Sequence, residues 1–277
     1  MTDRNDDSSL LARIAAALER IAPTAAAAVD WLASPAYVWD RSGPRAVPVL
    51  AAPPLELLMG IDSQKDVVVA NIARHAASHA AHDMLLWGSR GMGKSALLRA
   101  AVVAAQAAIG PIALVQVAPN ALEGLTGLFA LLARQERPFL VYIDVLGFED
   151  GDSTGPRQLR SWLEGGVEAR PANVRLAVTA NRRAIVSRHL SEQDDPINPR
   201  DVVDDRLALA DRFGLSIGFH ACSQDDYLAI IAGYAQAYGL TFDAADALEW
   251  SKRRGARSGR VAWQFVNELA GRAGRAL

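Results

Sequence analysis

The feature that most constrains the fold is a glycine-rich segment between a short apolar run and a helical pattern. It follows residues 84–87 and reads Gly88-Ser89-Arg90-Gly91-Met92-Gly93-Lys94-Ser95. This segment, the glycine loop, fits the pattern G-x-x-x-x-G-K-[ST] in the strand, loop and helix context that the pattern requires. Glycines there let successive backbone N–H groups turn inward around phosphate oxygens, and the N-terminus of the following helix adds favourable partial charge. A nucleoside triphosphate is therefore the predicted ligand.

Two side chains of the glycine loop have distinct predicted roles. Lys94 reaches the β- and γ-phosphates, and Ser95 offers its hydroxyl to Mg²⁺, a hard cation that prefers oxygen ligands. Asp144 directly follows the apolar run 139–143, and a P-loop ATPase needs a carboxylate at the tip of a neighbouring strand to hold magnesium. An aspartate that only caps the next turn is the alternative interpretation. ATP and Mg²⁺ are the predicted cofactors.

A dinucleotide-binding loop is the competing interpretation of the same glycines. Gly91, Gly93 and Ala96 also satisfy the looser spacing G-x-G-x-x-[GA]. That fold requires an acidic residue about 20 positions further on, at the end of the next strand. The next predicted strand ends in Val117-Ala118-Pro119-Asn120, which contains no carboxylate. The dinucleotide-binding interpretation is therefore disfavoured.

Apolar runs that alternate with helical patterns predict an α/β fold with a parallel sheet covered on both faces. The predicted strands are residues 84–87, 112–117, 139–143, 175–179 and 215–219. After the last predicted strand, Ser223, Asp243 and Ser258 are each predicted to cap the start of a helix, so residues 222–277 are predicted to form a small helical domain. The predicted domains are an N-terminal helical extension and linker at 1–54, an ATPase core at 55–221 and a helical lid at 222–277.

The N-terminal region carries two different patterns. Apolar residues at helical spacing predict an amphipathic helix between about residues 8 and 21. Six prolines between residues 22 and 54 break any long element, so this stretch is predicted to be a linker that wraps the body.

The amino-acid composition disfavours several classes of protein. The 277 residues carry 29 Lys and Arg against 31 Asp and Glu, so no global basic field favours nucleic acid or an anionic membrane. Cys222 is the only cysteine, which excludes an intramolecular disulfide and a thiolate zinc site. The N-terminus does not resemble a secretory signal, and Gly110-Pro111 interrupts the most apolar stretch. We therefore expect a cytoplasmic protein that does not span a membrane.

Several blocks of the sequence together resemble the DUF815 family of bacterial AAA+ ATPases. These blocks are residues 88–95, 139–150, 162–168, 179–183, 211–215 and 257–260. The resemblance covers about residues 55–270. It implies a P-loop AAA+ core with a five-stranded parallel sheet of order 5-1-4-3-2, a C-terminal helical lid, ATP with Mg²⁺, and assembly into a homo-oligomeric ring such as a hexamer.

The resemblance also assigns residues to the site. Asn181 matches the sensor 1 position, Arg212 an arginine finger that a neighbouring subunit presents, and Arg260 sensor 2 in the lid. A guanidinium suits the finger because it is permanently charged and bridges phosphate oxygens with a planar fork. Gly60 and Ile61 lie where the family's adenine pocket begins. The predicted nucleotide-binding set is completed by Gly88, Gly91, Met92, Gly93, Lys94, Ser95 and Ala96.

Structural roles are the alternatives for these assignments. Asn181 could be a turn residue, and packing of the following helix explains Ile61 equally well. An ion pair with Asp205 or Asp211 is the alternative role of Arg212.

One position departs from the family pattern. A second acidic residue, which activates the attacking water, commonly follows the aspartate, but here that residue is Val145. Glu149 is the predicted base, together with Asp150, although a solvated acidic loop explains both equally well. Loss of a catalytic base removes about 10²–10⁴-fold of rate, so the sequence supports ATP binding more strongly than hydrolysis.

The leading hypothesis is an AAA+ ATPase that hydrolyses ATP at subunit interfaces to remodel or load an unidentified partner, a protein in the first instance. A nucleotide-gated scaffold that binds ATP and assembles with little hydrolysis is the first alternative. A DNA-associated loader that uses Arg182, Arg183, Arg188 and the lid arginines is the second, and the near-neutral charge does not favour it.

Overall fold

In the computed structural model, the described residues are 29–144, 170–181 and 212–277, together with Arg13. The strands are β1 (Ala36–Asp40), β2 (Gly43–Val47), β3 (Met84–Gly88), β4 (Ala113–Val117), β5 (Phe139–Asp144), β6 (Val174–Ala180) and β7 (Leu215–Phe219). The α-helices are α1 (Asp62–Ala76), α2 (Lys94–Ala108), α3 (Leu125–Leu132), α4 (Gln224–Ala237), α5 (Ala244–Arg253) and α6 (Gly259–Arg272). Short 3₁₀ segments lie at Leu55–Leu57 and Pro119–Gly124.

The strands form one mostly parallel sheet. Within the described ranges it has seven strands in the order β2-β1-β4-β5-β6-β3-β7. The prediction of five strands in the order 5-1-4-3-2 is therefore wrong for the whole sheet, because β1 and β2 extend it beyond β4. The five parallel strands β3 to β7 follow the hairpin. If they are numbered 1 to 5 along the chain, their order in the sheet is 5-1-4-3-2, as predicted.

A hairpin of β1 and β2 replaces the linker that the sequence predicts for residues 22–54. β1 pairs in parallel with β4, placing Tyr37 opposite Val115, and β2 pairs antiparallel with β1. The proline pattern misled the prediction because Pro44 lies in the edge strand, where a residue without a backbone N–H is tolerated. Tyr37, Val38 and Trp39 are the aromatic and β-branched residues that favour strands. Of the predicted helix at 8–21, the described residues include Arg13, which is helical.

Arg137 connects the segment before the hairpin to the base of the sheet. Its side chain is buried, and its guanidinium donates to the carbonyl oxygens of Trp31 at 2.9 Å and Ser34 at 2.8 Å. The same group also donates to the carbonyls of Pro111 and Ile112. Burial lowers the pKa of Arg137. A buried guanidinium needs such acceptors, so this arginine depends on residues that precede β1.

Apolar side chains form one core on each side of the sheet. Met84 and Leu86 contribute to the core that contains α1 and α2, whereas Leu85 contributes to the core that contains α3. This alternation follows from the two-residue period of a strand. The three helices of residues 222–277, the lid, add their apolar faces to the first core. Their packing places the lid on the side of the sheet that carries α2.

The strands and helices predicted after residue 84 are confirmed to within about one residue where the structure describes them. The three predicted caps are confirmed by their hydrogen bonds. Ser223 Oγ accepts from Asp226 N at 3.0 Å, Asp243 Oδ1 from Ala245 N at 2.8 Å, and Ser258 Oγ from Val261 N at 3.3 Å. Among the described helices, none combines the length and apolar character needed to cross a bilayer.

His75 makes folding stability dependent on pH. It is buried in α1, and its Nε2 lies 3.0 Å from the carbonyl oxygen of Phe139, the first residue of β5. Burial lowers the pKa of His75 from 6.5 to about 4. As the pH falls through 6.5, the unfolded chain takes up a proton that the folded chain does not, so stability falls between pH 6.5 and about 4. The expected contribution of His75 to this loss is about 2 kcal/mol at pH 5 relative to pH 7.5.

Urea denaturation at both pH values measures this effect. His75→Gln removes the titrating group and is expected to abolish that part of the pH dependence. His79→Gln, which changes an exposed histidine near the end of the same helix, is the matched control and should keep the wild-type profile. An unchanged pH dependence in the His75 variant would contradict the assignment.

Candidate functional site

The glycine loop connects the carboxyl end of β3 to the start of α2. Gly88, Gly91 and Gly93 have φ angles of +124°, +76° and +87°, a region that L side chains rarely adopt. Two of these positions are also sterically closed. A Cβ atom would lie 2.0 Å from the carbonyl oxygen of Phe219 at Gly88, and 2.8 Å from Ser258 Oγ at Gly91. The loop therefore requires glycine for both its turn and its close contacts.

Lys94 lies inside the curve of this loop. Its side chain is buried, and Nζ donates to the carbonyl oxygens of Gly88 and Ser89 at 2.8 Å each. Burial lowers the pKa of Lys94; the Asp144 carboxylate opposes this shift, while the charges of Arg260 and Arg90 add to it. Three cationic groups thus converge on the loop with one carboxylate. Such an arrangement attracts a polyanion.

A chain of polar side chains runs under the loop from Ser95 to Asp144. The Tyr142 hydroxyl donates to Ser95 Oγ at 2.7 Å and lies 3.4 Å from Thr179 Oγ1. Thr179 Oγ1 donates to Asp144 Oδ1 at 2.8 Å. Burial raises the pKa of Tyr142, so its phenol is protonated at neutral pH. The two predicted magnesium ligands are therefore joined through two buried hydroxyl groups.

Asn181, the predicted sensor 1 residue, contacts the loop through Arg90. It directly follows β6, beside the carboxyl end of β3. With the amide oriented so that its oxygen faces the guanidinium, Asn181 Oδ1 accepts from Arg90 Nε at 2.8 Å and from Nη2 at 3.1 Å. Its contact with a ligand in the loop stays a prediction.

The lid touches the loop at Gly91. The backbone N–H of Arg260 donates to the carbonyl oxygen of Gly91 at 3.0 Å. Ser258 caps the same helix, and a Cβ at Gly91 would also lie 3.2 Å from Arg260 Cβ. The predicted sensor 2 residue is therefore the second residue of a helix whose start packs directly on the glycine loop.

Gly60 and Ile61 lie between the loop and the lid. Gly60 has a φ of +74°, and the buried Ile61 precedes α1. Ile61 Cδ1 is the atom nearest to a Cβ built at Gly93, at 3.6 Å. Met92 is buried and Ala96 is partly buried at the start of α2. These positions are next to the loop, and their contact with adenine stays a prediction.

The chain resembles a known protein family in its sequence and known proteins in its structure. The family described as "Protein of unknown function (DUF815)" matches residues 32–273. The chain belongs to the DUF815 family. Its structure resembles the Thermotoga maritima RuvB Holliday junction branch migration motor, with a TM-score of 0.51 and 18% identity over 82% of this chain and 68% of that one. It also resembles the Aeropyrum pernix ORC2 protein in its ADPNP–ADP complexes, with a TM-score of 0.50 and 17% identity over 81% and 65%.

The structural likeness assigns this DUF815 chain to the AAA+ P-loop fold. At these identities it establishes the fold alone. No curated protein matches the sequence.

Arg212 lies at the opposite end of the sheet from the loop. It precedes β7, whose first residue Leu215 pairs with Met84 at the amino end of β3, whereas the loop follows the carboxyl end. Since a strand rises about 3.3 Å per residue, the length of β3 separates Leu215, three residues after Arg212, from the start of the loop by about 13 Å. Arg212 of this DUF815 chain therefore precedes the end of β7 that lies away from its own loop. The predicted base Glu149 lies outside the described residues.

Three contacts at the site were not foreseen from the sequence. Tyr142, Thr179 and Arg90 each form a hydrogen bond with one predicted site residue of the DUF815 chain. A partial signal was available for Tyr142, because it is the only polar side chain in the run 139–143 and precedes Asp144 by two positions, the spacing of one strand face. Thr179 has the same spacing to Asn181, but its strand also contains the polar residue Arg175.

Proposed function

We propose that this DUF815 protein is an AAA+ ATPase that binds ATP with Mg²⁺ and hydrolyses it at interfaces between subunits. The observation that carries the proposal is the buried Lys94 ammonium, bonded to two carbonyl oxygens of a loop with three positive-φ glycines. Burying a cation against carbonyls alone is costly, and an anion in the loop would compensate for it. ATP hydrolysis would drive the remodelling or loading of a partner macromolecule.

The residues present fit ATP with magnesium. The three glycines hold the loop in a turn that L side chains rarely adopt, and Lys94 would reach the β- and γ-phosphates. Ser95 and Asp144 would hold the cation, because both carry oxygen ligands and are linked by the same buried chain. Magnesium, when bound, neutralises charge on the phosphate oxygens. Asn181 would orient water against the γ-phosphate, and Arg260 would close the lid on it.

Arg212 supports a site shared between subunits. Because the length of a strand separates it from its own loop, its guanidinium would complete the loop of a neighbouring copy. A permanently charged planar fork stabilises charge on the transferred phosphoryl group and raises the rate by about 10³–10⁵-fold in related reactions. A homo-oligomeric ring with each Arg212 directed at the next loop is the arrangement that we propose.

A scaffold that binds ATP with little turnover is the second candidate. Val145, in place of an acidic residue after Asp144, favours it. Such a switch needs only a difference in ATP affinity between its assembled and separate states. The rate of turnover distinguishes it from the ATPase.

Phosphate release at increasing protein concentration tests the proposal. Wild-type turnover per subunit is expected to rise with concentration, and Arg212→Ala is expected to lower it by about 10³-fold. Mixing Arg212→Ala with Lys94→Ala should restore part of the turnover, because a mixed assembly contains sites with one intact loop and one intact arginine. Arg45→Ala, at the other edge of the sheet on β2, is the matched control and should behave as wild type.

The outcomes separate the candidates. Full turnover by Arg212→Ala alone would contradict a shared site. Tight ATP binding without phosphate release at any concentration would replace the ATPase with the scaffold.

A further inference from the structure

We propose that Tyr142 is a positioning residue that holds the Ser95 hydroxyl ready for the divalent cation. This inference rests on the proposed function, since Ser95 is a magnesium ligand only if the loop binds a nucleotide with its metal. It assigns a role to a residue that touches neither ATP nor the cation.

The position of Tyr142 in β5 is the first observation. The strand has the sequence Phe-Leu-Val-Tyr-Ile-Asp and ends at Asp144, so Tyr142 shares the face of Asp144, one strand repeat earlier. Its ring is buried in the core that also contains α2, with 4% of its surface exposed. The hydroxyl extends from that core to Ser95, the second residue of α2. The strand and the loop are thus connected by one side chain.

The hydrogen-bond capacity of Ser95 is the second observation. A serine hydroxyl has one hydrogen and two lone pairs. Tyr142 donates to Ser95 Oγ at 2.7 Å, which uses one lone pair and leaves the other for a cation. A donor at this place therefore fixes the hydroxyl without competing with the metal. An unrestrained hydroxyl would lose rotational freedom on binding the cation, which weakens the binding.

Thr179 extends the same support to the second ligand. Its hydroxyl donates to Asp144 Oδ1 at 2.8 Å and lies 3.4 Å from the Tyr142 hydroxyl. Asp144 is paired with Thr179 in the register of β5 and β6. The two cation ligands come from different elements, the start of α2 and the end of β5. Tyr142 therefore supports the ligand on α2, and Thr179 supports the ligand on β5.

Simple packing does not explain the hydroxyl of Tyr142. Phenylalanine would fill the same core volume without a buried polar group that needs a partner. A second buried tyrosine of this chain shows the contrast. Tyr227 in α4 has a ring with 0% of its surface exposed, and its hydroxyl has no hydrogen-bond partner among the described residues. Tyr227→Phe therefore deletes a buried hydroxyl without deleting such a contact, which makes it the matched control.

The experiment titrates Mg²⁺ against the full-length protein saturated with ADPNP. For Tyr142→Phe, the dissociation constant of ADPNP in EDTA is expected to equal that of wild type. The apparent dissociation constant of Mg²⁺ is expected to rise about tenfold, as for the loss of one buried hydrogen bond. Tyr227→Phe should match wild type in both. A purely structural role for Tyr142 would change both affinities together.

A double-mutant cycle tests whether Tyr142 acts through Ser95. In the Ser95→Ala background, Tyr142→Phe is expected to change the Mg²⁺ affinity no further. A further loss in that background, or a wild-type Mg²⁺ affinity in the single variant Tyr142→Phe, would overturn the inference while the proposed function stands. If wild type fails to bind ADPNP with or without Mg²⁺, the proposed function itself is wrong. Thr179→Val, which keeps the shape of its side chain, gives a second measurement and should also weaken Mg²⁺ binding selectively.

Discussion

Replacing Lys94 with alanine is expected to weaken ATP binding by about 100-fold, the value of one strong charge-assisted hydrogen bond to a phosphate oxygen. The ammonium is already buried and held by the carbonyls of Gly88 and Ser89. Little side-chain entropy therefore remains to be lost when phosphates arrive. Because burial lowers the pKa of Lys94, its positive charge is poorly solvated, and phosphate oxygens improve its environment.

The same substitution is expected to have a different effect on stability. Alanine removes a desolvated cation from the folded protein, so the melting temperature should stay the same or rise. Equilibrium binding of ATP together with thermal unfolding measures both effects. Lys252→Ala, which changes an exposed lysine of the lid, is the control and should leave both unchanged. Wild-type ATP affinity in Lys94→Ala would contradict the site.

Gly88→Ala is expected to lower the free energy of unfolding by about 4 kcal/mol or more, because backbone strain and overpacking each contribute. The φ angle of +124° is unfavourable for alanine, and its Cβ would lie 2.0 Å from the carbonyl oxygen of Phe219. The strands have little room to separate there. Gly88 is opposite Phe219 in the register of β3 and β7, and Ser89 N donates to the same carbonyl at 2.8 Å.

Gly127→Ala is the matched control for this loss. Gly127 is exposed in α3, and a Cβ there would have no neighbour within 4 Å. Alanine in a helix is expected to stabilise the protein by about 0.5–1 kcal/mol. Chemical denaturation of both variants should therefore give shifts of opposite sign. Equal stability of Gly88→Ala and wild type would show that the loop adopts another conformation.

The elements that the sequence predicted well are those with strong local signals. The five strands from residue 84 onward are mostly apolar runs bounded by turns. The lid helices follow the N-caps Ser223, Asp243 and Ser258, whose hydrogen bonds are local. The hairpin was missed because its signal is not local. β1 and β2 are short, Pro44 lies in one of them, and their stability comes from pairing with β4.

The site shows the same division. The glycine loop was recognised because one contiguous pattern contains most of its chemistry. The contacts of Tyr142 with Ser95, Thr179 with Asp144, and Arg90 with Asn181 join residues far apart in sequence, in most cases on different strands or helices. A strand position reveals the face of a side chain but not the atom that it meets across the layer. The contact of the lid with Gly91 required the three-dimensional fold for the same reason.

The hairpin also determines where this chain can be shortened. A fragment that starts at residue 55 would leave the backbone of β4 unpaired on the side that β1 covers, and a bare strand edge promotes aggregation. It would also remove the carbonyls of Trp31 and Ser34 that the buried Arg137 requires. We therefore expect the smallest autonomous unit to begin before Trp31. The hairpin is therefore an integral part of the sheet that positions the strands of the site.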